Sequence, residues 1–206
     1  MKLCAFDFDS TLMDGETIDL IASAHAKSEE VSAITREAMN GKLDFFEALT
    51  RRVMLLKGMR CDRVREVCEN LPLMNGAIET IAELKRRGYT VIILSGGFHE
   101  ATSHAAKTLK TDAEFANYLH AKDNALTGYV GGEMMFGSSK GQMLSRIQRL
   151  LSVLPADTVA IGDGANDRSM FQHAAIRVAF CAKEALKKEA NVIVEEKDLT
   201  QILKAI

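Results

Sequence analysis

Neither sign of charge is in surplus in this chain of 206 residues: 26 lysines and arginines face 28 aspartates and glutamates, a net charge of -2. That balance excludes a global basic field that would attract a nucleic-acid backbone or an anionic membrane, so any anion must be held by a local site. Proline is scarce, with two residues, and 47% hydrophobic against 26% charged residues excludes global disorder. The length suits one domain, or one domain with a substantial insert, and a sizeable core. Cysteine is limited to Cys4, Cys61, Cys68 and Cys181, without CxxC spacing. Such scattered thiols argue against a disulfide framework or a zinc site and suit a reducing compartment. Long apolar runs are also missing: Leu3 to Phe6 is cut short by Asp7 and Asp9, well below the length of a signal peptide or a membrane span. A cytoplasmic protein with neither nucleic-acid nor membrane partner is expected.

What is present alternates. Residues 2–8 (KLCAFDF) read as a buried strand whose acidic residues begin as it ends. From Gly15 to Leu71 apolar residues recur at three- and four-residue steps, as in Ile18, Ile21, Ala22 and later Phe45, Leu49, Val53 and Leu56, predicting several packed helices. Pro72 and Asn75-Gly76 punctuate the end of this stretch. A helix over 77–87 then leads to the continuous apolar strand YTVIILS, and helices near 98–109, 140–152 and from 167 alternate with strands near 115–120, 158–162, 176–180 and 191–194. The pattern predicts an α/β fold, a doubly wound parallel sheet formed by residues 1–14 and 72–206, with 15–71 inserted. Residues 125–136 have glycine-spaced β character and predict a small hairpin projecting from the sheet.

In an open parallel sheet, ligands gather beyond the carboxyl ends of the strands. Three polar clusters fall there. In Asp7-Phe8-Asp9-Ser10-Thr11 two carboxylates two residues apart can share a side, one to attack phosphorus and the other to handle protons. A turn with an Asx or Ser cap would need the same residues. Ser95-Gly96-Gly97 offers a hydroxyl and bare amides for phosphate oxygens at a helix start, or simply an N-cap. Gly162-Asp163-Gly164-Ala165-Asn166-Asp167 packs oxygen ligands suited to magnesium into a loop, or is a turn capped by Asn166. Lys140, at a helix start, could offset phosphate charge, although a single lysine is solvated by default. Together these groups supply what phosphoryl transfer needs. The five histidines share no metal-ligand spacing and read as structural or surface residues.

DFDST, SGG after an apolar strand, Lys140 and GDGANDRSMF resemble the four motifs of the haloacid dehalogenase superfamily of phosphatases, in order and across nearly the whole chain. Segments 13–19 (MDGETID), 38–58 (AMNGKLDFFEALTRRVMLLKG) and 178–190 (VAFCAKEALKKEA) narrow the likeness to members acting on a small phosphorylated amino acid. The resemblance implies a Rossmann-like core with a helical cap over residues 15–71. It implies Asp7 as nucleophile, Asp9 as general acid and base, and Lys140 bracing nucleophile and phosphate. Ser95, Gly96 and Asn166 would hold phosphate. Mg2+ would bind Asp7, the Asp9 carbonyl and Asp163, with Asp167 supporting that shell. In the insert, Glu16 would meet the substrate ammonium and Arg52 its carboxylate, with Met39 and Phe45 closing over the top.

Read without the resemblance, Glu16 and Arg52 fit a solvated helix face and Met39 and Phe45 fit helix core. A phosphatase of another small phosphomonoester, a phosphotransferase, or a receiver domain phosphorylated on aspartate would use some of the same groups. Asp9 and the long insert argue against the receiver, which stores a phosphoryl group and needs no proton-handling carboxylate beside it.

Overall fold

The computed structural model describes all residues, 1–206. Seven strands form one sheet: β1 (Lys2–Phe6), β2 (Tyr89–Phe98), β3 (Ala113–Lys122), β4 (Ala125–Gly132), β5 (Thr158–Gly162), β6 (Ile176–Phe180) and β7 (Val192–Val194). Their order is β4-β3-β2-β1-β5-β6-β7, and every pair is parallel except β3 with β4. β1 lies between β2 and β5, so the chain winds outward from it in both directions, the Rossmann-like doubly wound arrangement that opens a crevice at the switch point. Strands buried on both faces must be apolar throughout. Cys4 and Phe6 of β1 accordingly enter one hydrophobic cluster with Val91 and Ile93 of β2, while Leu3 and Ala5 enter the opposite cluster with Ile92 and Leu94.

Helices α1 (Thr17–Ala24), α2 (Ser28–Met39), α3 (Phe45–Met54) and α4 (Cys61–Glu69) follow β1 and pack on one another. The ends of this stretch meet: the Asp14 amide donates to the Pro72 carbonyl at 2.9 Å and the Met74 amide to Leu12 at 2.8 Å. Its far side is joined to β4 by main-chain bonds from Gly58 to the Leu126 carbonyl and from Leu126 to the Met59 carbonyl, both 2.8 Å, and from Cys61 to Asn124 at 3.1 Å. α5 (Ala77–Arg86) and α6 (His99–Leu109) contribute to the same cluster as these helices. α7 (Ser139–Leu151), α8 (Arg168–Phe171) and α9 (Glu184–Lys187) contribute to the opposite one.

Three expectations need correction. β2 does not stop at Ser95 but runs through Gly96 and Gly97 to Phe98, with its register against β3 shifting after Leu94, so the glycines lie on a strand and not at a helix start. The hairpin is formed by β3 and β4 together rather than within 125–136. Its turn is Asp123-Asn124, both with positive φ (52° and 60°), the backbone that a two-residue turn demands and that Asp and Asn tolerate. After Asp163 the chain makes a 3-10 turn over Ala165–Asp167 and only four residues of α-helix in α8.

Candidate active site

β1 ends at Phe6, which delivers Asp7 to the crevice. Its Oδ1 accepts from the Phe8 amide at 2.6 Å and from Lys140 Nζ at 2.5 Å, leaving Oδ2 free of protein partners. Lys140, near the start of α7, also reaches Asp167 Oδ1 at 2.6 Å. Asp167 Oδ2 accepts from the amides of Asp163 (3.0 Å) and Gly164 (2.9 Å), so both its oxygens are occupied in shaping the loop. A side chain at Gly162 would lie 2.3 Å from Asp167 Oδ2, which accounts for the glycine opening this loop. Lys140 and Asp167 are buried, and such a charge set tolerates burial only when each member is paired.

Asp9 points to the other wall. Its Oδ1 accepts from the Thr17 amide at 2.7 Å and the Thr17 hydroxyl at 2.5 Å, while Oδ2 faces Gly97, where a Cβ would sit only 2.8 Å away. Ser10, in the left-handed region at φ 58°, turns the chain so that its hydroxyl donates to Glu16 at 2.8 Å. Ser95 is fully buried, its Oγ accepting from the Gly97 amide at 2.9 Å. The Phe45 ring lies over Gly96 so closely that a Cβ there would meet Cζ at 2.6 Å.

A cavity of about 120 Å³ is lined by Asp7, Asp9, Glu16, Phe45, Arg52, Gly96, Asp163 and Asn166, joined by Ile18, Leu49, Gly97, Phe98, Gly164 and Lys183. The structure thus brings together most of the residues singled out from the sequence. Lys140, Asp167 and Ser95 stand immediately behind the wall. Met39, at the end of α2, does not join: it is 67% exposed and outside the lining. Arg52 Nε donates to the Ala48 carbonyl at 3.2 Å and has no carboxylate partner, so a guanidinium faces the cavity unpaired.

Sequence reasoning missed three contributors. Thr17 fixes Asp9. Asn117, fully buried on β3, donates to the Gly96 carbonyl at 3.1 Å and accepts from the Met134 amide at 3.0 Å, setting the height of the Ser95–Gly97 segment. Lys183 enters the cavity just beyond the end of β6, and its amide donates to the Asp163 carbonyl at 2.9 Å. Applying the strand-end rule to β6 as well as to β1, β2 and β5 would have pointed to it.

Burial governs the electrostatics. It pushes Asp7 well above the usual carboxylate range, with Asp167 adding and Lys140 opposing, and raises Asp9 against the pull of the two Thr17 bonds. Asp163 is pushed up to about 6 by burial and by Asp167, and Glu16 to about 7 by burial and by Asp9. Burial lowers Arg52 while Glu16, Asp19 and Asp9 oppose it. Lys140 is raised, because Asp167 and Asp7 outweigh its own desolvation. Carboxylate oxygens of Asp7, Asp163 and Asp167 lie within 4.8 Å of one another. With Asp167 spoken for, Asp7 Oδ2 and Asp163 are the free hard-oxygen donors, a set that fits a divalent cation such as magnesium and would relieve their crowding.

A carboxylate free to attack, a second able to carry a proton, a buried lysine and an acidic loop at the switch point of a doubly wound sheet define a phosphoryl-transfer hydrolase. The family model for haloacid dehalogenase-like hydrolases matches residues 1–175, and the chain belongs to that family. Within it the chain is 61% identical over 203 residues to the phosphoserine phosphatase of Wolinella succinogenes, covering 98% of both chains. It is 48% identical to that of Methanocaldococcus jannaschii, over 100% of this chain and 97% of the relative. Among solved structures, a phospho-aspartyl intermediate analogue of phosphoserine phosphatase superposes with a TM-score of 0.95 at 48% identity, over 100% of this chain and 98% of the other. A substrate-bound phosphoserine phosphatase complex superposes equally well, at 0.95 and 47% identity, with the same coverage.

Proposed function

We propose that this chain hydrolyses O-phospho-L-serine to L-serine and phosphate through an aspartyl-phosphate on Asp7, the final step of serine biosynthesis, in the cytosol. The observation that carries the substrate is the unpaired Arg52 guanidinium facing a cavity that also holds Glu16. A phosphorylated amino acid brings a dianion, a carboxylate and an ammonium. Lys140 with the Ser95–Gly97 segment and Asn166, Arg52, and Glu16 answer these three charges in turn. Residues 15–71 act as the cap that supplies Glu16, Arg52 and Phe45, and the core supplies the chemistry.

The Asp7 carboxylate attacks phosphorus, and the bond from phosphorus to the serine oxygen breaks with its electron pair going to that oxygen. Asp9 protonates it. Since Asp9 Oδ1 accepts both Thr17 bonds, Oδ2 is the oxygen left to carry the proton, and burial favours the protonated form before substrate binds. In the second step Asp9 takes a proton from water as the water oxygen attacks phosphorus, and the bond to Asp7 breaks to restore the carboxylate. Lys140 holds Asp7 in one orientation throughout. Magnesium, held by Asp7, the Asp9 carbonyl and Asp163 with Asp167 behind them, would neutralise phosphate charge facing an anionic nucleophile. A receiver role finds no use for Asp9 or the insert.

The test is a panel of small phosphomonoesters assayed with magnesium. O-phospho-L-serine is expected to give the highest kcat/KM, ahead of phosphothreonine, phosphohomoserine and p-nitrophenyl phosphate. Equal or faster turnover of any of these would overturn the substrate assignment.

A further inference from the structure

α3 is held at its two ends by different means. Past its C-terminal end, Gly58, Met59 and Cys61 are tied to Asn124 and Leu126 at the start of β4 by three main-chain hydrogen bonds of 2.8 to 3.1 Å. Its N-terminal end has the Asp44 side chain as its own cap, accepting from the Glu47 amide at 2.8 Å, and, beside the Phe45 ring that lies on Gly96, meets the core through an exposed aromatic pair. The rings of Phe46 and Phe136 stack with centroids 5.3 Å apart and planes 12° from parallel. Phe46 remains 41% and Phe136 59% exposed, so this pair is no part of the hydrophobic core. Phe136 belongs to the segment between β4 and α7. Its amide donates to Ser139 Oγ at 3.1 Å and its carbonyl accepts from the Ser139 amide at 2.9 Å, which fixes it one turn ahead of Lys140.

We propose that the Phe46–Phe136 stack is the releasable clasp that keeps α3 down over the cavity, with the β4 main-chain bonds as the fixed hinge. The two phenylalanines are positioning residues: neither lines the cavity, but Phe46 adjoins Phe45, whose ring lies on Gly96, and Arg52 rides on the same helix. An exposed stack suits a contact that must open for substrate entry and product exit. Such pairs contribute modestly, enough to shift an open–closed balance by roughly two- to tenfold. A main-chain ladder would not release so readily. The role of α3 as a lid rests on the proposed function, but the clasp itself can be tested without any substrate.

Amide hydrogen exchange on the magnesium-loaded 206-residue chain reads the opening directly. In Phe136→Ala, exchange at residues 42–50 should quicken roughly two- to tenfold, while 58–61 and 124–126 keep their protection. Phe46→Ala should do the same, although alanine is the better helix former and would by itself slow exchange. The double variant should exchange no faster than either single one, and Phe136→Tyr, which retains the ring, should restore protection. Unchanged exchange over 42–50 in Phe136→Ala, or additive effects in the double variant, would overturn the clasp. A different preferred substrate would overturn only the functional reading and leave the exchange result standing.

Discussion

Replacing Arg52 by alanine separates recognition of an amino acid from the chemistry of phosphate. Arg52 lines the cavity, and its one protein hydrogen bond goes to the Ala48 carbonyl of its own helix. No carboxylate is orphaned by its removal, so the loss on the enzyme side is small. On the substrate side a charge-assisted contact disappears, worth about 1.5 to 3 kcal/mol, or roughly ten- to a hundredfold in kcat/KM. O-phospho-L-serine should bear that loss. p-Nitrophenyl phosphate has neither carboxylate nor ammonium and should be nearly indifferent, because Asp7, Lys140 and the acidic loop are untouched. The assay is kcat/KM for both substrates on wild type and Arg52→Ala, with thermal unfolding to confirm the fold. Equal losses on the two substrates would refute the reasoning and make Arg52 a support of α3 or of the phosphate.

Asp7→Asn keeps the shape of the side chain and removes its nucleophilic charge, so turnover should fall to background with the fold intact; retained turnover would refute the covalent route. The raised pKa of Asp163 has a consequence for stability: a carboxyl held at about 6 contributes fully below its unfolded value near 3.8 and loses that contribution as pH rises through 6. Chelated protein should therefore melt lower at pH 8 than at pH 5. Magnesium at a hundredfold excess over its pH 8 Kd should restore roughly 5 to 10 °C at pH 8, and the same concentration should restore less at pH 5, where protons compete for Asp163; an equal response at both would refute the site. Glu16, pushed up to about 7, is neutral below that pH and then cannot hold an ammonium, so kcat/KM for phosphoserine should fall with acidification. In Glu16→Gln the midpoint of that limb should move down towards the substrate phosphate's own value near 6, and an unmoved midpoint would refute the role.

The apolar runs of β1, β2 and β5 and the polar clusters at their ends were legible because a strand buried on both faces leaves little freedom of composition, and chemistry then begins where the run ends. What was not legible depended on distant partners. Gly96 and Gly97 are poor strand residues by propensity, yet they continue β2, because Phe45 and Asp9 Oδ2 occupy the space their side chains would fill. The glycine-spaced segment after Asn124 read as a hairpin on its own, whereas its partner was the weak strand before it. Asn117 sits inside that weak strand, with nothing local to show that its amide meets Gly96 from below. Met39 was placed over the cavity through resemblance alone, and in this structure it faces solvent.

The central position of β1 also dictates when the molecule can exist. Leu3 pairs with Thr90 on one side and Thr158 on the other, and Asp7 needs Lys140, itself held by Asp167, to offset its burial. During synthesis the strand made earliest among the seven must therefore wait for the last third of the chain before both its edges are covered. Local helices such as α2 and α3 can form at once, but the sheet has a high contact order and closes late. Until β5 emerges, an apolar edge stays open to wrong partners, and Asp7 has no pocket around it.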